Sequence, residues 1–576
     1  MSLLNTKTKV ALVFVAIGLI LYANSFNNQM FWDDDDIVLN NQYVQNFDWP
    51  KFFSENQIAG AGLISNYWRP LMLTVFSLEW QIFHDWAPGY HLVNTGLHIA
   101  NTILLFLILE TLFKKRQLSF LTGLVFLIHP LQTEAVTYVS GLADLLSTFF
   151  IFLGILFYFR YRESFRHNHP RPAANYWLTL VCYAAAMLSK DTAVIMPAMI
   201  ALTDFFYLRG TMNNHATSGI ATRLLTPPIH GPAGHQNWDL IKQQLVKVVK
   251  SIWPFFAIAG LYFLLRAGPL NFSDTLNVYG EANIFTQNFG VRLLAFFRAA
   301  VIYFQLLFWP NNLHMERSFN IPHGLFFPDV MFGGALIIGL IIAAFWSIKK
   351  YPVISFGIFW FFIRLFPNSN LLFPNSGLIY EHWMYMPIIG IWLIIFWLLF
   401  NVISDPIGDP KKKRYIWVPA LVGMTILFVF FGQKTIARNN DWQDPITFYN
   451  QTSKYSPTYR VLNNLGMAYT DVKQYDSAIE TYQKAISIDP LNAVAYHNLA
   501  NSFRDLDKKD LAVENYEKAL ALQPDFLFSY NALTQLYLDD KKYNMAIETL
   551  ERLKTANPTQ TDYIDKLIRQ IKELIK

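Results

Sequence analysis

The chain has 576 residues, of which 53% are hydrophobic and 16% aromatic but only 15% charged. A soluble globular protein carries about 25% charged residues, so this sequence, with a mean hydropathy of +0.24, reads as largely membrane-embedded. Its one cysteine, Cys182, excludes a disulfide framework and a cysteine-type zinc site. The net charge of +5 says less than the placement of the charges.

In chain order, a short basic start leads into an apolar run near 9–24. Ala23 and Ser25 make a weak cleavage site, so an uncleaved first span fits at least as well as a signal peptide. Directly after it comes Phe31-Trp32-Asp33-Asp34-Asp35-Asp36-Ile37-Val38-Leu39-Asn40-Asn41, with four consecutive carboxylates. Residues 66–86 read as an amphipathic helix on the membrane surface, with tryptophans at the interface. Further runs long enough to cross a bilayer fall near 91–112, 118–136, 142–160, 175–189, 192–208, 250–266, 330–348, 352–367, 384–402 and 416–433, about eleven crossings in all.

Charge placement tests that count. The basic segments are Lys7 with Lys9, Lys114–Arg116, Arg160–Arg171, the loop 209–250, Lys349–Lys350 and Lys411–Arg414. Eleven crossings from a cytoplasmic N-terminus put every one of them inside, as the bias of lysine and arginine toward the cytoplasm requires. A twelfth crossing at 289–309, which carries Arg292 and Arg298, breaks that agreement. The segment therefore reads as interfacial or re-entrant on the outer side.

Past about residue 440 the sequence becomes polar and periodic. Pro490, Pro524 and Pro558 recur every 34 residues, in register with Leu465, Leu499 and Leu533 and with Ala478, Ala512 and Ala546. This is the tetratricopeptide pattern, in which helical hairpins stack because none buries its apolar face alone. The expected division is 1–435 for a catalytic membrane domain, 436–455 for a degenerate half-repeat and connector, and 456–576 for three repeats with a capping helix. The fold class is thus all-α, a polytopic helical bundle followed by a repeat superhelix.

No phosphate-binding glycine loop, nucleophile elbow or His-Glu-x-x-His is present. Ionisable groups at the ends of spans carry the chemistry instead, because an unpaired charge in hydrocarbon is costly. On the outer face these are Arg69, His91, His129, Glu134, Asp144, Lys190, Asp191, Arg364, Glu381 and His382. Singly, each fits a helix cap or a snorkelling side chain as well; together, beside four aspartates, they suggest a shared polar cavity. Carboxylates next to cations at a membrane surface suit transfer from a lipid phosphate carrier. A carboxylate serves as base, while Lys190, Arg364, His382, Arg69 and His129 hold the phosphate. Glu134, Asp144, Asp191, Glu381 and His91 support them. A membrane-anchored scaffold for envelope assembly and a transporter of lipid-linked sugar are the alternatives.

The acid run resembles the paired-acid motif in the first outer loop of the membrane-embedded GT-C glycosyltransferases, closest to the transmembrane and tetratricopeptide repeat O-mannosyltransferases and their bacterial relatives. Tyr67-Trp68-Arg69-Pro70, His129-Pro130 through Glu134 with Gly141–Asp144, Leu188-Ser189-Lys190-Asp191, and Ser369–Pro374 followed by Glu381 fit the same group in the same order. The resemblance implies inverting transfer of a sugar, typically mannose, from a polyprenyl phosphate to a protein hydroxyl outside the membrane. It puts the base at Asp33 and Asp34. A divalent cation (magnesium or manganese) held by those two acids, or none, is left open. Where relatives have Glu-Arg, this chain has Glu381-His382, which exchanges a permanent cation for a titrating one. The implied partners are the polyprenyl-phosphate sugar, the bilayer and an acceptor protein or peptide met by the repeat groove, with no nucleic acid. The implied place is a bacterial inner membrane with the repeats in the periplasm, or the endoplasmic reticulum membrane of a eukaryote.

Overall fold

A computed structural model describes residues 6–166, 172–216, 252–268, 270, 284–315, 317, 319–322, 324–372, 374–375, 377–404 and 410–575. The basic loop expected at 209–250 lies mostly outside these, as do 167–171 and the side chains of Lys411–Arg414. The described chain is helical apart from an isolated antiparallel bridge between Arg317 and Ile379. It forms two compact units, Met1–Gln443 and Asp444–Lys576, so the division falls within the stretch read as connector.

The first unit is a helical bundle. Among the described residues, six of its helices are long and apolar enough to cross a membrane: Lys7–Asn27, Ala87–Phe113, Val139–Ser164, Phe289–Phe308, Pro328–Lys350 and Pro419–Asn440. Shorter apolar helices, among them Ala173–Ser189, Ile252–Ala267 and Pro352–Asn368, complete it, together with Met196–Ala216. One expected span is corrected. The run 118–136 is not one helix: Arg116–Ile128 stops where His129 turns extended (φ −73°, ψ 131°) ahead of Pro130, because the residue before a proline is driven out of the helical region. Short helical turns follow at Pro130–Gln132, Thr133–Thr137 and Val139–Gly141. The span expected from 384 likewise begins only at Ile388, after a 3-10 turn at Glu381–Met384.

Polar contacts mark the two ends of the bundle. At one, Glu110 meets Lys7 at 3.4 Å and Arg116 at 2.6 Å. At the other, the first and last spanning helices are clasped by asparagines: Asn24 Nδ2 donates to the Ile436 carbonyl and to Asn440 Oδ1, and Asn439 Nδ2 to the Leu21 carbonyl. The helix Phe289–Phe308 has the length to cross and packs against several neighbours. Arg298 pairs with Asp329 at 2.6 Å, the Leu307 carbonyl meets His129 and Phe308 packs on Trp392. Gly333 makes the approach possible, since a Cβ there would lie 1.9 Å from the Phe297 carbonyl oxygen. Pro70–Phe83, the surface helix expected from the tryptophan pattern, packs Met72, Leu73 and Phe76 into the core of the first loop.

The second unit repeats one hairpin three times: Tyr459–Asp471 with Tyr475–Ile488, Ala493–Asp505 with Lys509–Leu522, and Leu527–Asp539 with Tyr543–Ala556. Lys473, Asp507 and Lys541 all have φ near +60°, so the same left-handed residue closes the turn in every copy. Small residues set the stacking distance: a Cβ on Gly466 would sit 2.4 Å from the Tyr482 ring. The last helix, Thr561–Ile575, buries Ile564, Ile568 and Ile571 against the stack.

Candidate active site

The broken segment 129–144 is the hub of the site. Pro130 ends the preceding helix, and the short turns that follow leave backbone and side-chain groups facing several elements at once. Glu134 accepts from His382 twice, Oε1 from Nδ1 at 2.8 Å and Oε2 from the backbone N–H at 3.0 Å. Gln132 Nε2 donates to the Tyr385 carbonyl, Thr137 Oγ1 to Asn439 Oδ1, and Asn94 Nδ2 to the carbonyls of Tyr138 and Val139.

The first-loop acids dock on the end of this segment. Trp32 has φ 65°, a strained value for a bulky residue and of the kind that gathers at functional sites. After that turn the two acids part: Asp33 is exposed and Asp34 is buried. Asp34 Oδ1 accepts from the Ser140 N–H at 2.9 Å and the Ser140 hydroxyl at 2.5 Å, and Oδ2 accepts from the Phe31 N–H at 3.4 Å. Burial pushes the Asp34 carboxyl up to about 8, with repulsion from Asp33 adding to it and the Ser140 bonds opposing it. Asp35 and Asp36 open the short π turn Asp35–Leu39. His91 Nε2 meets the Asn28 carbonyl at 3.1 Å and closes the loop from beneath.

One helical turn beyond Ser140 lies Asp144, where the cations converge. Lys190 Nζ donates to both its oxygens, at 2.8 and 2.7 Å. Arg69 and His382 are among the charges that act on Asp144, and Arg364 feels it in turn. Arg364 is buried, with Nε and Nη1 making no hydrogen bond to the described residues. Arg69 leaves its buried Nε unpaired as well and holds its guanidinium 4.5 Å over the Tyr67 ring. Three cations thus act on one carboxylate, and two of them, Arg69 and Arg364, keep nitrogens that make no hydrogen bond to the described residues. Burial lowers the Lys190 ammonium pKa, opposed by Asp144.

Four of the five residues expected to bind phosphate therefore gather: Lys190, Arg364, Arg69 and His382. His129 does not join them. Its Nδ1 accepts from the Leu131 N–H at 3.2 Å and its Nε2 donates to the Leu307 carbonyl at 3.0 Å, and burial lowers its pKa to about 3. A neutral ring with both nitrogens used has nothing to give a phosphate. Asp191 is drawn aside by Arg266 at 3.3 Å, and Arg266 also donates to the Asn66 carbonyl. Burial alone would raise the Glu134 carboxyl, but the charge and hydrogen bonds of His382 hold it below its ordinary value.

Glu381 is fully buried and accepts from the His314 N–H at 2.7 Å, from Arg317 at 3.4 Å and from Arg438 at 3.2 Å. Arg438 also meets Asp441 at 3.1 Å. Sequence reasoning passed over Arg438, Arg317, Ser140 and Tyr138. The signal for Arg438 was the polar run Arg438-Asn439-Asn440-Asp441 closing an apolar helix. Ser140 and Tyr138 carried none, since a serine or tyrosine in a short turn is unremarked. For a metal, both Asp34 oxygens already accept hydrogen bonds, and among the described residues no three His, Cys, Asp or Glu side chains are placed to hold an ion.

A tetratricopeptide repeat model matches residues 457–525. The chain is 24% identical over 555 residues to the Protein O-mannosyl-transferase Tmtc1 of Drosophila melanogaster, covering 84% of this chain and 62% of that protein. It is 25% identical over 505 residues to the human Protein O-mannosyl-transferase TMTC4, covering 82% and 65%. The chain is their homologue. It spans about six tenths of the length of these relatives. The crystal structure of the Archaeoglobus fulgidus oligosaccharyltransferase overlaps 82% of this homologue and 58% of that chain, at 14% identity and a TM-score of 0.41, too loose an overlap to carry an argument. With six described helices long and apolar enough to cross a membrane, this is a membrane protein.

Proposed function

We propose that the chain is an integral-membrane glycosyltransferase. It moves a sugar, mannose or a similar hexose, from a polyprenyl phosphate to a protein hydroxyl on the extracytoplasmic side, with inversion. The observation that carries this reading is the convergence of Arg69, Lys190 and Arg364 around Asp144, one turn from the Ser140 that holds the first-loop acids. The names of the homologues support it.

In this reading Asp33, on the exposed side of the pair, takes the proton of the acceptor hydroxyl. The freed oxygen attacks the anomeric carbon from the face opposite the phosphate, the carbon–oxygen bond to phosphate breaks, and the phosphate leaves with the electron pair. Arg364, Lys190 and Arg69 stabilise the charge that grows on it, with His382 held at their edge by Glu134. A single displacement inverts the anomeric centre. Asp34, tied to Ser140, anchors the turn that presents Asp33. The products are the glycosylated acceptor, polyprenyl phosphate and a proton on Asp33. The repeats present the acceptor, and the working location is a bacterial inner membrane with the repeats in the periplasm.

The test is transfer of labelled mannose from a polyprenyl-phosphate donor to an acceptor peptide by the full chain in nanodiscs. Removing a general base costs about 10²–10⁴-fold, so Asp33→Asn is expected to lose at least about a hundredfold while retaining its thermal midpoint. Transfer at the wild-type rate by Asp33→Asn removes the base assignment, and donor flux without glycosylated product favours a transporter.

A further inference from the structure

Between the acids and the last helix stands a column of rings. Trp32 stacks on Tyr138 with centroids 5.4 Å apart and planes within 22°, and Tyr138 stacks on Trp442 at 5.2 Å and 25°. Phe31 closes on Trp442 at 6.2 Å, and the Arg438 guanidinium sits 5.7 Å from the same ring. Tyr138 is therefore gripped on both faces, and its main-chain carbonyl is held by Asn94 at 3.0 Å. A ring fixed in this way aims its hydroxyl in one direction. That hydroxyl is buried and makes no hydrogen bond to the described residues, and Asp33, Asp34 and the Ser140 hydroxyl are the polar groups that act on it.

A residue of this kind is not needed to fold the turn, because Ser140 and the Phe31 amide already hold Asp34. Nor would a buried phenol beside two carboxylates serve packing alone, since phenylalanine would stack equally well without a polar group to satisfy. Burial and the two negative charges push the phenol pKa well upward, so the hydroxyl keeps its proton and is available as a donor.

We infer that Tyr138 is a positioning residue for the transfer: stacked on Trp32 and Trp442, it turns its unpaired hydroxyl into a donor to Asp33 when the acceptor binds and so orients that carboxylate toward the acceptor hydroxyl. This rests on the proposed function, because it acts through the proposed base. Trp32 and Trp442 are the second layer of the same device, and the strained Trp32 backbone delivers both the ring and the acid that follows it.

The experiment is the pH–rate profile of transfer by Tyr138→Phe, Asp33→Asn and the double variant, with thermal midpoints beside them. Phenylalanine keeps the stack and removes the donor. A hydrogen bond to a carboxylate favours its charged form, so its loss is expected to move the acidic limb of the profile to higher pH by about one unit and to lower kcat about tenfold with KM unchanged. In the Asp33→Asn background the Tyr138→Phe change is expected to have no further effect. A wild-type limb and kcat for Tyr138→Phe overturn the inference while an inactive Asp33→Asn leaves the function standing. Wild-type transfer by Asp33→Asn overturns both. If Tyr138→Phe does not fold, fluorotyrosine at position 138 keeps ring and hydroxyl but strengthens the donor. The limb is then expected to move to lower pH, and an unmoved limb overturns the inference.

Discussion

The two units treat charge in opposite ways. In the bundle, the pairs Lys190–Asp144 and Arg438–Glu381 are buried, the latter with side chains 2% and 0% exposed. In the repeats, Lys484–Glu480 and Lys518–Glu514 lie open on helix surfaces at one-turn spacing, and Arg552–Glu517 is only partly covered. Taking two ions out of water costs several kcal/mol each, which their attraction barely recovers, whereas an exposed pair gains and loses little. The repeats can therefore spread charge for solubility at almost no cost. In the bundle each buried charge is expensive, and those that persist either lock the architecture or await a ligand.

That contrast can be broken most forcefully at Glu381. Arg438→Ala leaves a buried carboxylate with one long guanidinium contact, and stripping one partner from a buried pair costs about 3–5 kcal/mol. The expected outcome is a strong drop in thermal midpoint of the detergent-solubilised protein, or failure to accumulate in the membrane. An unchanged midpoint would mean that Arg317 and the His314 amide suffice for Glu381. Arg364 should behave oppositely. Its Nε and Nη1 make no hydrogen bond to the described residues, so Arg364→Gln is expected to leave the midpoint unchanged or higher while lowering transfer at least about a hundredfold. A matching loss of stability would show that it is structural.

A finer separation uses pH. The Asp34 carboxyl titrates near 8 in the folded chain and near 4 when unfolded. Between those values the folded state binds the extra proton, so stability is greatest at low pH, falls as pH rises from about 4 to about 8, and is flat above. Asp34→Asn removes the titrating group and is expected to flatten the thermal midpoint across that window. A slope as steep as wild type would assign the dependence to another carboxyl.

How much of this was legible in the sequence follows the same contrast. The repeats were readable nearly residue by residue, because each contact recurs at fixed spacing and is local: Ala478, Tyr482, Ala512 and Tyr516 are buried where the period puts them. In the bundle the apolar runs gave most helices, but composition could not see that Pro130 breaks the run 118–136. Hydropathy averages over a window, whereas a proline acts on one residue. The cations Arg69, Lys190 and Arg364 were visible as charges out of place in apolar surroundings. Which of them were already satisfied was not visible, since that depends on partners such as Leu307 for His129 and Asp144 for Lys190, 178 and 46 residues away. Ser140 and Tyr138 were hidden for a related reason: short polar turns are common, and only the distant arrival of Asp34, 106 residues off, gives this one a role.

The smallest expected effect tests the other side of the comparison. Arg552 meets Glu517 with two parallel bonds of 2.8 Å across adjacent repeats, the best geometry among the surface pairs named above, and its guanidinium lies 5.8 Å from the Tyr530 ring. Bidentate geometry improves on a point contact, yet both side chains keep about two fifths of their surface in water, where salt screens them. A double-mutant cycle of Arg552→Ala and Glu517→Ala, read by chemical denaturation of the repeats, is expected to give a coupling of about 0.5 kcal/mol that shrinks at high salt. The Arg552→Ala change alone should cost somewhat more, because the arginine stem also packs against Tyr530. A coupling several times larger, insensitive to salt, would mean that the repeats too use charge as architecture, and that position in the chain is no guide to what a charge pair does.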